Sequence, residues 1–433
     1  MPILLIKEEG LENEMSYADI HCSKGFRYVR YVSPNNVRCN LAELEFYGEK
    51  GEGDDSQLYQ ITNLPTVVIN TKNAEDITSK ENEIKSMVYI ISEGGKELFA
   101  AANTGVRGRG NASWQFPKKP YRLKFEEKQQ LLDAPAKAKK WTLINNYGDK
   151  TLMRNILAFE ISRRMEMPYT PYCRPVDVVL NGEYRGCYQL CDQVEVNKNR
   201  VDIVEMEPED IQLPELTGGY LIEIDSYAWG ETSYFVSKKG VPVTIKSPDE
   251  DDIVPEQTKY ITDYFNQMEA AIFAENYDDE EEGYRSFLDL DSFLRYFMLE
   301  ELCGNPDTFW SVYLTKNRYS NKFVVGPAWD FDIAFDNEKR AYPTDKFNDF
   351  LYTTQVNVAS ETVRKMANVI VKKDTAARQR LIEMWNKART EQGIDSEALL
   401  EYIDQTAQLL NESQKLNFKR WDILNQRDRK SVV

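Results

Sequence analysis

Three aspartates in the second half of the chain have the spacing of a small catalytic centre. Asp307 follows a Gly-Asn-Pro turn, and Asp330 and Asp332 follow a strand pattern that ends near residue 326. One carboxylate of such a group can orient a hydroxyl proton, while the others can hold a divalent cation through oxygen ligands. Spacing alone leaves a simpler alternative open, because Asp330 and Asp332 could instead cap the turn that follows them.

Cationic side chains that suit phosphate oxygens lie in the first half of the chain. Arg107 and Arg109 belong to an Arg-Gly-Arg-Gly-Asn segment, which supplies two guanidinium groups and a flexible backbone. Lys124 lies on the polar face of a strand pattern, and Glu160, on a helix pattern, is its candidate ion-pair partner. Each has an ordinary alternative, since the arginines could pair with acidic surface groups and the other two could be solvated surface residues.

Composition excludes several classes of chemistry. The 433 residues include one histidine, His21, so neither a zinc site with three histidines nor an HExxH motif can form. Lys and Arg number 54 against 71 Asp and Glu, and the resulting net charge of −17 argues against a nucleic-acid partner. We therefore expect chemistry from carboxylates, Lys, Arg and backbone groups, with a hard metal ion.

The elements of the first half follow from hydrophobic patterning. Strand patterns dominate residues 64–125, and residues 149–166 predict an amphipathic helix. Residues 176–190 predict a β-hairpin, because an Asn-Gly pair supplies the two residues of a type I′ turn. Gln193 follows this hairpin, where we expect the chain to enter a hinge between two lobes.

The second half contains a different mixture of elements. A strand is predicted at 218–227, helices at 254–275 and 286–303, a short hairpin at 311–326, and a helical tail at about 360–430. This order predicts an α+β protein with two lobes rather than alternating βαβ units. A cleft between the lobes is then the default site.

The chain length predicts roughly two to three domains. We divide it into a β-strand appendage with linker at 1–57, a β-rich N-lobe at 58–195, and a mostly helical C-lobe with its helical tail at 196–433. No segment approaches the roughly 20 apolar residues that span a membrane, and the N-terminus lacks the pattern of a signal peptide.

The six cysteines are interpreted as free thiols, mostly buried. There is no CxxC pair. Cys187 and Cys191 would lie on one face of a strand, but ~13 Å apart, which is too far for a disulfide.

Five segments follow one another in the order found in a known family. The chain resembles the CotH kinase family, the spore-coat-protein-H-like atypical protein kinases, and the similarity extends over about residues 64–425. Residues 26–48 also resemble the end of a discoidin-like, galactose-binding β-sandwich, although they are too few for a whole domain. The matching kinase segments are 107–125, 139–165, 181–203, 218–227 and 304–337.

The resemblance implies an atypical protein-kinase-like fold that binds ATP with Mg²⁺ and phosphorylates Ser or Thr hydroxyls of a protein substrate. It implies Asp307 as the catalytic aspartate and Asp330 as a metal ligand, with Asp332 as a further metal-ligand candidate. It also implies an extracytoplasmic or cell-envelope location, and the discoidin-like strands suggest a glycan contact. The candidate nucleotide-binding residues are Lys124, Arg107, Arg109, Glu160 and Gln193.

One position departs from the kinase pattern. Protein kinases place a metal-binding Asn five residues after the catalytic Asp, whereas Ser311 and Val312 occupy the fourth and fifth positions here. The second metal site and turnover are therefore in question. The main alternative is a non-catalytic, pseudokinase-like surface module that holds a glycan or a partner protein. A third hypothesis is a two-carboxylate hydrolase that uses Asp307 with Asp330 or Asp332.

Overall fold

The computed structural model describes most of the chain from residue 60 onward. The appendage predicted at 1–57 lies outside the described residues except for Glu45 and Tyr47, and with it lie the discoidin-like strands, Cys22 and Cys39. Within the described part of the chain, no helix is long and apolar enough to cross a membrane. Apart from Glu45 and Tyr47, the described ranges are 60–92, 97–338, 350–353 and 360–425.

Seven strands form a closed barrel in the first half. Consecutive neighbours in the order β1-β2-β3-β4-β5-β7-β6 are antiparallel, and parallel pairing of β6 with β1 closes the ring. Alternate side chains point inward, and Val106, Leu123, Trp141 and Leu190 are fully buried there. The strands are β1 (Thr66–Thr71), β2 (Ile84–Ile91), β3 (Glu97–Gly108), β4 (Tyr121–Gln129), β5 (Ala138–Ile144), β6 (Cys173–Leu180) and β7 (Glu183–Asp192).

The hairpin predicted at 176–190 is confirmed as β6 and β7. Asn181 and Gly182 have φ values of 51° and 77°, the left-handed values that a type I′ turn requires at both positions. Asn181 also holds the hairpin to β1, because its Oδ1 accepts from the Thr71 backbone N–H at 2.8 Å.

Helix α1 (Arg154–Arg164) lies between strands β5 and β6 in the sequence, and it is shorter than the helix predicted at 149–166. Asp149 ends the preceding loop, since its carboxylate accepts from the backbone N–H groups of Thr151 and Arg154 at 2.9 Å each. Leu152 then has a φ of 61°, which no α-helix accommodates. The hydrophobic pattern predicted a helix that starts too early, because the pattern reflects the burial of Leu152, and Leu152 is buried although it is not helical.

A second sheet forms in the second half, in the strand order β12-β11-β8-β10-β9 with antiparallel neighbours. The strand and the hairpin predicted there are confirmed, but they share a five-stranded sheet, so this half is less helical than expected. The sheet contains β8 (Tyr220–Ile224), β9 (Tyr234–Val236), β10 (Pro242–Ser247), β11 (Val312–Lys316) and β12 (Val324–Val325).

Five α-helices of the described residues accompany this sheet, and the helical tail predicted from about residue 360 is confirmed. The largest hydrophobic cluster combines residues of the sheet with residues of α1 and of the later helices, so it joins the two halves through one core. These helices are α2 (Pro255–Ile272), α3 (Leu290–Cys303), α4 (Glu361–Asn368), α5 (Thr375–Glu391) and α6 (Ser396–Arg420).

The last of these helices returns to the barrel. Asn417 of α6 accepts from Lys118 Nζ at 2.7 Å and from the Cys187 backbone N–H at 3.2 Å. Lys118 is 1% exposed, and burial lowers its pKa to about 7. Its other contacts are the Cys187 carbonyl and the Tyr188 ring, whose centroid is 4.7 Å away. A buried cation of the barrel is therefore satisfied partly by the far end of the chain.

Candidate functional site

Two aspartate-bearing loops meet at one edge of the second sheet. Asp307 lies in the loop before β11, and Asp330 lies in the loop after β12. The two strands are antiparallel, with Leu314 opposite Val325, so the start of β11 and the end of β12 face the same edge. The short hairpin predicted from the sequence thus brings the two loops together.

Asn305 connects the two loops directly. Its side-chain Oδ1 accepts from the Asp307 backbone N–H at 3.2 Å, and its Nδ2 donates to the Asp330 carbonyl at 3.3 Å. The side chain is buried, with 2% of the residue exposed. One amide group therefore fixes the separation of the two candidate catalytic residues through their backbones.

A buried carboxyl group supports the Asp307 loop from below. The Thr308 hydroxyl donates to Glu300 Oε2 at 3.0 Å, and Glu300 lies in the last turn of helix α3, in the core. Burial raises the pKa of Glu300 to about 8, although hydrogen bonds from Thr308, Asn305 and Tyr296 act in the opposite direction. At neutral pH this group is therefore largely protonated and can bond its neighbours without placing a full charge beneath the site.

Helix α1 fixes the segment that carries Asp330. The Phe331 backbone N–H donates to Asn155 Oδ1 at 2.8 Å, and both residues are buried. Phe159, one turn further along the helix, stacks on Trp329 with ring centroids 6.0 Å apart and meets the Phe331 ring edge-on at 6.4 Å. The residues on either side of Asp330 are therefore held by one face of α1.

Among the sequence-predicted cations, Arg109 contacts the segment that carries Asp330. Its guanidinium lies over the Trp329 ring, 5.7 Å from the centroid, and interacts electrostatically with Asp330. Burial lowers the pKa of Arg109, and the negative charge of Asp330 acts in the opposite direction. Arginine keeps its proton under all ordinary conditions, so the site contains a fixed positive charge.

A row of polar side chains crosses the second sheet beside Arg109. Tyr313 of β11 lies opposite Glu223 of β8, and the Glu223 carboxylate contributes to the raised pKa of Tyr313. Glu223 also pairs with Lys246 of β10, with 3.1 Å between Oε2 and Nζ. Burial raises the pKa of Glu223, whereas Lys246 and Tyr313 oppose that shift. Arg109 interacts electrostatically with both Tyr313 and Glu223. The row of polar side chains therefore continues from Arg109 and Asp330 across the second sheet.

The other predicted nucleotide-binding residues lie elsewhere. Lys124 is exposed on β4, and Glu160 pairs with Arg163 and Arg164 of its own helix. The ion pair predicted between Lys124 and Glu160 is therefore wrong, because Glu160 pairs with Arg163 and with Arg164, which contacts Gly393 and the Tyr402 ring of α6. A nucleotide contact by either residue stays a prediction.

Arg107 and Gln193 occupy intermediate positions. Arg107 lies in β3, donates to the Lys80 carbonyl and is opposite Arg122 of β4, so it belongs to the strand rather than to the flexible loop that was predicted. Gln193 is half-buried directly after β7, where the chain leaves the barrel. Their part in nucleotide binding is likewise untested.

The backbone at the site includes several left-handed residues that are not glycine. Phe309, Ser311 and Asp330 have φ values of 77°, 52° and 64°. Such conformations are unfavourable for side chains of this size and persist where surrounding contacts enforce them, often at functional sites. Val312 is 5% exposed and begins β11, so its side chain belongs to the core and supplies no ligand in place of the kinase Asn.

The oxygen donors of the site suit a cation whose coordination is completed by ligands from outside the protein. Among the described residues, no group of three or more His, Cys, Asp or Glu could hold a metal ion by itself. Asp330 and Asp332 supply carboxylate oxygens two residues apart. Mg²⁺ is commonly held by one or two carboxylates together with substrate phosphates and water, and the two aspartates fit that arrangement.

Several residues that shape the site were not predicted from the sequence. Asn305 was visible in the Gly-Asn-Pro-Asp turn, but nothing in the turn indicated that it contacts a second loop. Glu223 interrupts the apolar strand Tyr-Leu-Ile-Glu-Ile, and an acidic residue at a buried strand position was a usable signal. Glu300 and Asn155 lie on helices and gave no comparable signal.

Comparison with known proteins bears on the family of this chain. None of the curated proteins compared with the chain matches it significantly. A family model described as "CotH kinase protein" matches residues 106–432, which include Arg109, helix α1, both aspartate loops and the C-terminal helices. Because this match covers most of the chain and all of the candidate site, the chain belongs to the CotH kinase family.

Proposed function

We propose that this protein is an atypical kinase that transfers the γ-phosphate of ATP to Ser or Thr hydroxyls of a protein substrate, with Mg²⁺ as cofactor. The observation that carries the proposal is the Asn305 bridge, which holds the Asp307 and Asp330 loops together beside the half-buried Arg109. Phosphoryl transfer depends mainly on positioning and on electrostatic stabilisation, and this arrangement supplies both.

Each side chain has a separate role in this proposal. Asp307 accepts a hydrogen bond from the attacking hydroxyl and orients it towards the γ-phosphate. Arg109 places its fixed charge next to phosphate oxygens, whose negative charge it offsets. Asp330, with Asp332, would hold Mg²⁺, and the ion would supply further neutralisation of the phosphates.

We further propose that the barrel, within residues 58–195, acts as the N-lobe and that residues 196–433 act as the C-lobe of a two-lobed kinase. Helix α1 would then occupy the position of the regulatory helix, because it contacts the metal-binding segment through Asn155 and Phe159. The family also supports an extracytoplasmic or envelope location as a proposal.

A second candidate function is nucleotide binding without turnover. Val312 occupies the position of the second metal ligand of protein kinases and is buried, and Ser311 precedes it with a φ of 52°. Loss of that ligand would weaken transfer more than binding, since one cation site remains. Binding and transfer must therefore be measured separately.

The first experiment is a thermal-shift titration with ATP and Mg²⁺. A ligand that binds only the folded state raises the free energy of unfolding by about 2.7 kcal/mol at a hundredfold excess over its dissociation constant. We expect Asp330→Asn to abolish the shift and Asp307→Asn to keep it. Asp404→Asn, at an exposed position on α6, is the matched control and should behave as wild type.

The second experiment measures transfer of labelled γ-phosphate to casein, which offers many Ser and Thr hydroxyls. Transfer by the wild type and the Asp404→Asn control, but not by Asp307→Asn, supports the kinase. Nucleotide binding without transfer favours the second candidate function. No thermal shift at millimolar ATP with Mg²⁺ would contradict both.

A further inference from the structure

Strands β6 and β7 place two thiols opposite each other. Cys173 is the direct cross-strand partner of Cys191. The Asp192 N–H donates to the Tyr172 carbonyl at 3.0 Å, a bond that joins the residue after Cys191 to the residue before Cys173. That bond pattern makes the two cysteines a non-hydrogen-bonded antiparallel pair, in which Cα atoms are about 4.5 Å apart and side chains share one face.

This separation falls within the range of disulfides. Bridged cysteines have Cα atoms about 4.4–6.8 Å apart, so a non-hydrogen-bonded pair lies at the short end of that range. The neighbouring Cys173 thiol also contributes to the raised pKa of Cys191. Among the other described cysteines, Cys187 lies opposite Asp177, and Cys303 is on helix α3, so neither has this relationship.

The pair lies where the barrel meets the rest of the molecule. Cys191 is fully buried and belongs to the hydrophobic cluster that includes residues of α1 and the second sheet, and Cys173 packs against the same cluster while remaining half-buried. Arg109 interacts electrostatically with Cys191. The end of β7 is also the point at which the chain leaves the barrel.

We propose that Cys173 and Cys191 are a redox modification site, at which a low-molecular-weight disulfide such as oxidised glutathione generates a reversible cross-strand disulfide. The Cys173 thiolate attacks the small disulfide, and one glutathione leaves as a thiol after taking a proton. Cys191 then loses its proton and attacks the sulfur of Cys173, and the second glutathione leaves. Two protein thiols are oxidised, and one small disulfide is reduced to two thiols.

Geometry and burial set the character of this bond. The closely spaced pair must accommodate the bridge at the short limit of Cα separation, and bonds under such constraint are more easily reduced. Cys173 is the entry point because it is the more exposed of the two. Burial raises the pKa of Cys191, so the second step is expected to be slower than the first.

The experiment uses the full chain with Cys22→Ser and Cys39→Ser, which removes the two cysteines outside the described residues. The folded protein is equilibrated with mixtures of oxidised and reduced glutathione and quenched with acid. One portion is analysed by intact mass without alkylation, and a second portion is alkylated for peptide mapping. We expect a product lighter by two hydrogens, with the Cys173 peptide joined to the Cys191 peptide. Excess reduced glutathione should restore both thiols.

Matched variants separate this pair from the other thiols. Cys187→Ser and Cys303→Ser in the same background should keep the two-hydrogen loss, whereas Cys173→Ser and Cys191→Ser should abolish it. The proposal is overturned if the folded background protein stops at a glutathione adduct on Cys173, or if the mapped bridge involves Cys187 or Cys303. Neither outcome depends on whether the protein is an active kinase, because no nucleotide is present.

Discussion

Replacing Asn305 by alanine is expected to reduce phosphoryl transfer more than its effect on stability would explain. The substitution removes the acceptor of the Asp307 N–H and the donor to the Asp330 carbonyl, at 3.2 Å and 3.3 Å. A typical hydrogen bond contributes about 1 kcal/mol, and a buried partner left unsatisfied costs about 1–3 kcal/mol. Because Asn305 is almost fully buried, we expect a loss of about 2–4 kcal/mol in the free energy of unfolding.

The stability loss corresponds to a fall in melting temperature of roughly 2–5 °C, since an unfolding entropy of about 2.1 cal/mol/K per residue means that 1 kcal/mol shifts a chain of this length by about 1 °C. The activity loss has a different origin. When the bridge is absent, the two loops can shift relative to each other, and a displacement of about 1 Å can reduce a rate by about a hundredfold. We therefore expect kcat to fall about a hundredfold at temperatures at which the variant remains folded.

The assay compares Asn305→Ala with Asn266→Ala by circular dichroism and by labelled phosphate transfer. Asn266 is a buried asparagine of α2 whose Oδ1 accepts from the Lys238 backbone N–H at 2.7 Å, and it touches none of the candidate residues. Asn266→Ala should lose stability and keep kcat. If Asn305→Ala also keeps kcat within about twofold of wild type, the bridge does not position the catalytic loops and this reasoning is refuted.

Two further predictions concern charge. Arg109→Ala should weaken ATP binding by about 10- to 100-fold, because a hydrogen bond to a charged group contributes about 1.5–3 kcal/mol. Lys124→Ala, at an exposed position, should weaken binding less; the reverse order in a calorimetric titration would assign the phosphates mainly to Lys124. Burial raises the pKa of Glu300 from 4.5 to about 8, so the folded protein binds a proton there more tightly than the unfolded chain does. The contribution of Glu300 to the free energy of unfolding is therefore fully present below about pH 4.5 and is lost as the pH rises to about 8. Glu300→Gln cannot ionise, so its melting temperature should improve relative to wild type as the pH rises from about 4.5 to about 8. Parallel profiles over that range would show that Glu300 does not titrate there.

The sequence predicted those parts of the fold that depend on local patterns. The Asn-Gly turn of the β6–β7 hairpin was predictable because only a few residue pairs tolerate two left-handed positions. The hairpin between the aspartate loops was predictable from its two apolar strands. Helix α1 was placed correctly but begun too early, because hydrophobic periodicity registers burial of Leu152 and not the Asp149 turn that precedes the helix.

The parts of the fold and site that the sequence did not predict depend on contacts between distant segments of the chain. Barrel closure requires β6 to pair with β1, and no local pattern encodes which strands become neighbours. The pairing predicted between Lys124 and Glu160 was wrong for the same reason, because a polar position on a strand does not reveal which way it faces in the assembled molecule. Cys173 and Cys191 were likewise considered apart, since their relationship appears only when the register of β6 and β7 is known.

The contact between Lys118 and Asn417 has a consequence for the order in which this protein can fold. The two residues are 299 positions apart, so during synthesis the barrel strands emerge long before the helix that completes the lysine's hydrogen bonds. Until then, Lys118 either keeps water inside an unfinished barrel or gives up its proton, since an unpaired buried charge is unfavourable. We expect the isolated barrel to remain loosely packed, and the whole chain to acquire its final rigidity late, when α6 docks.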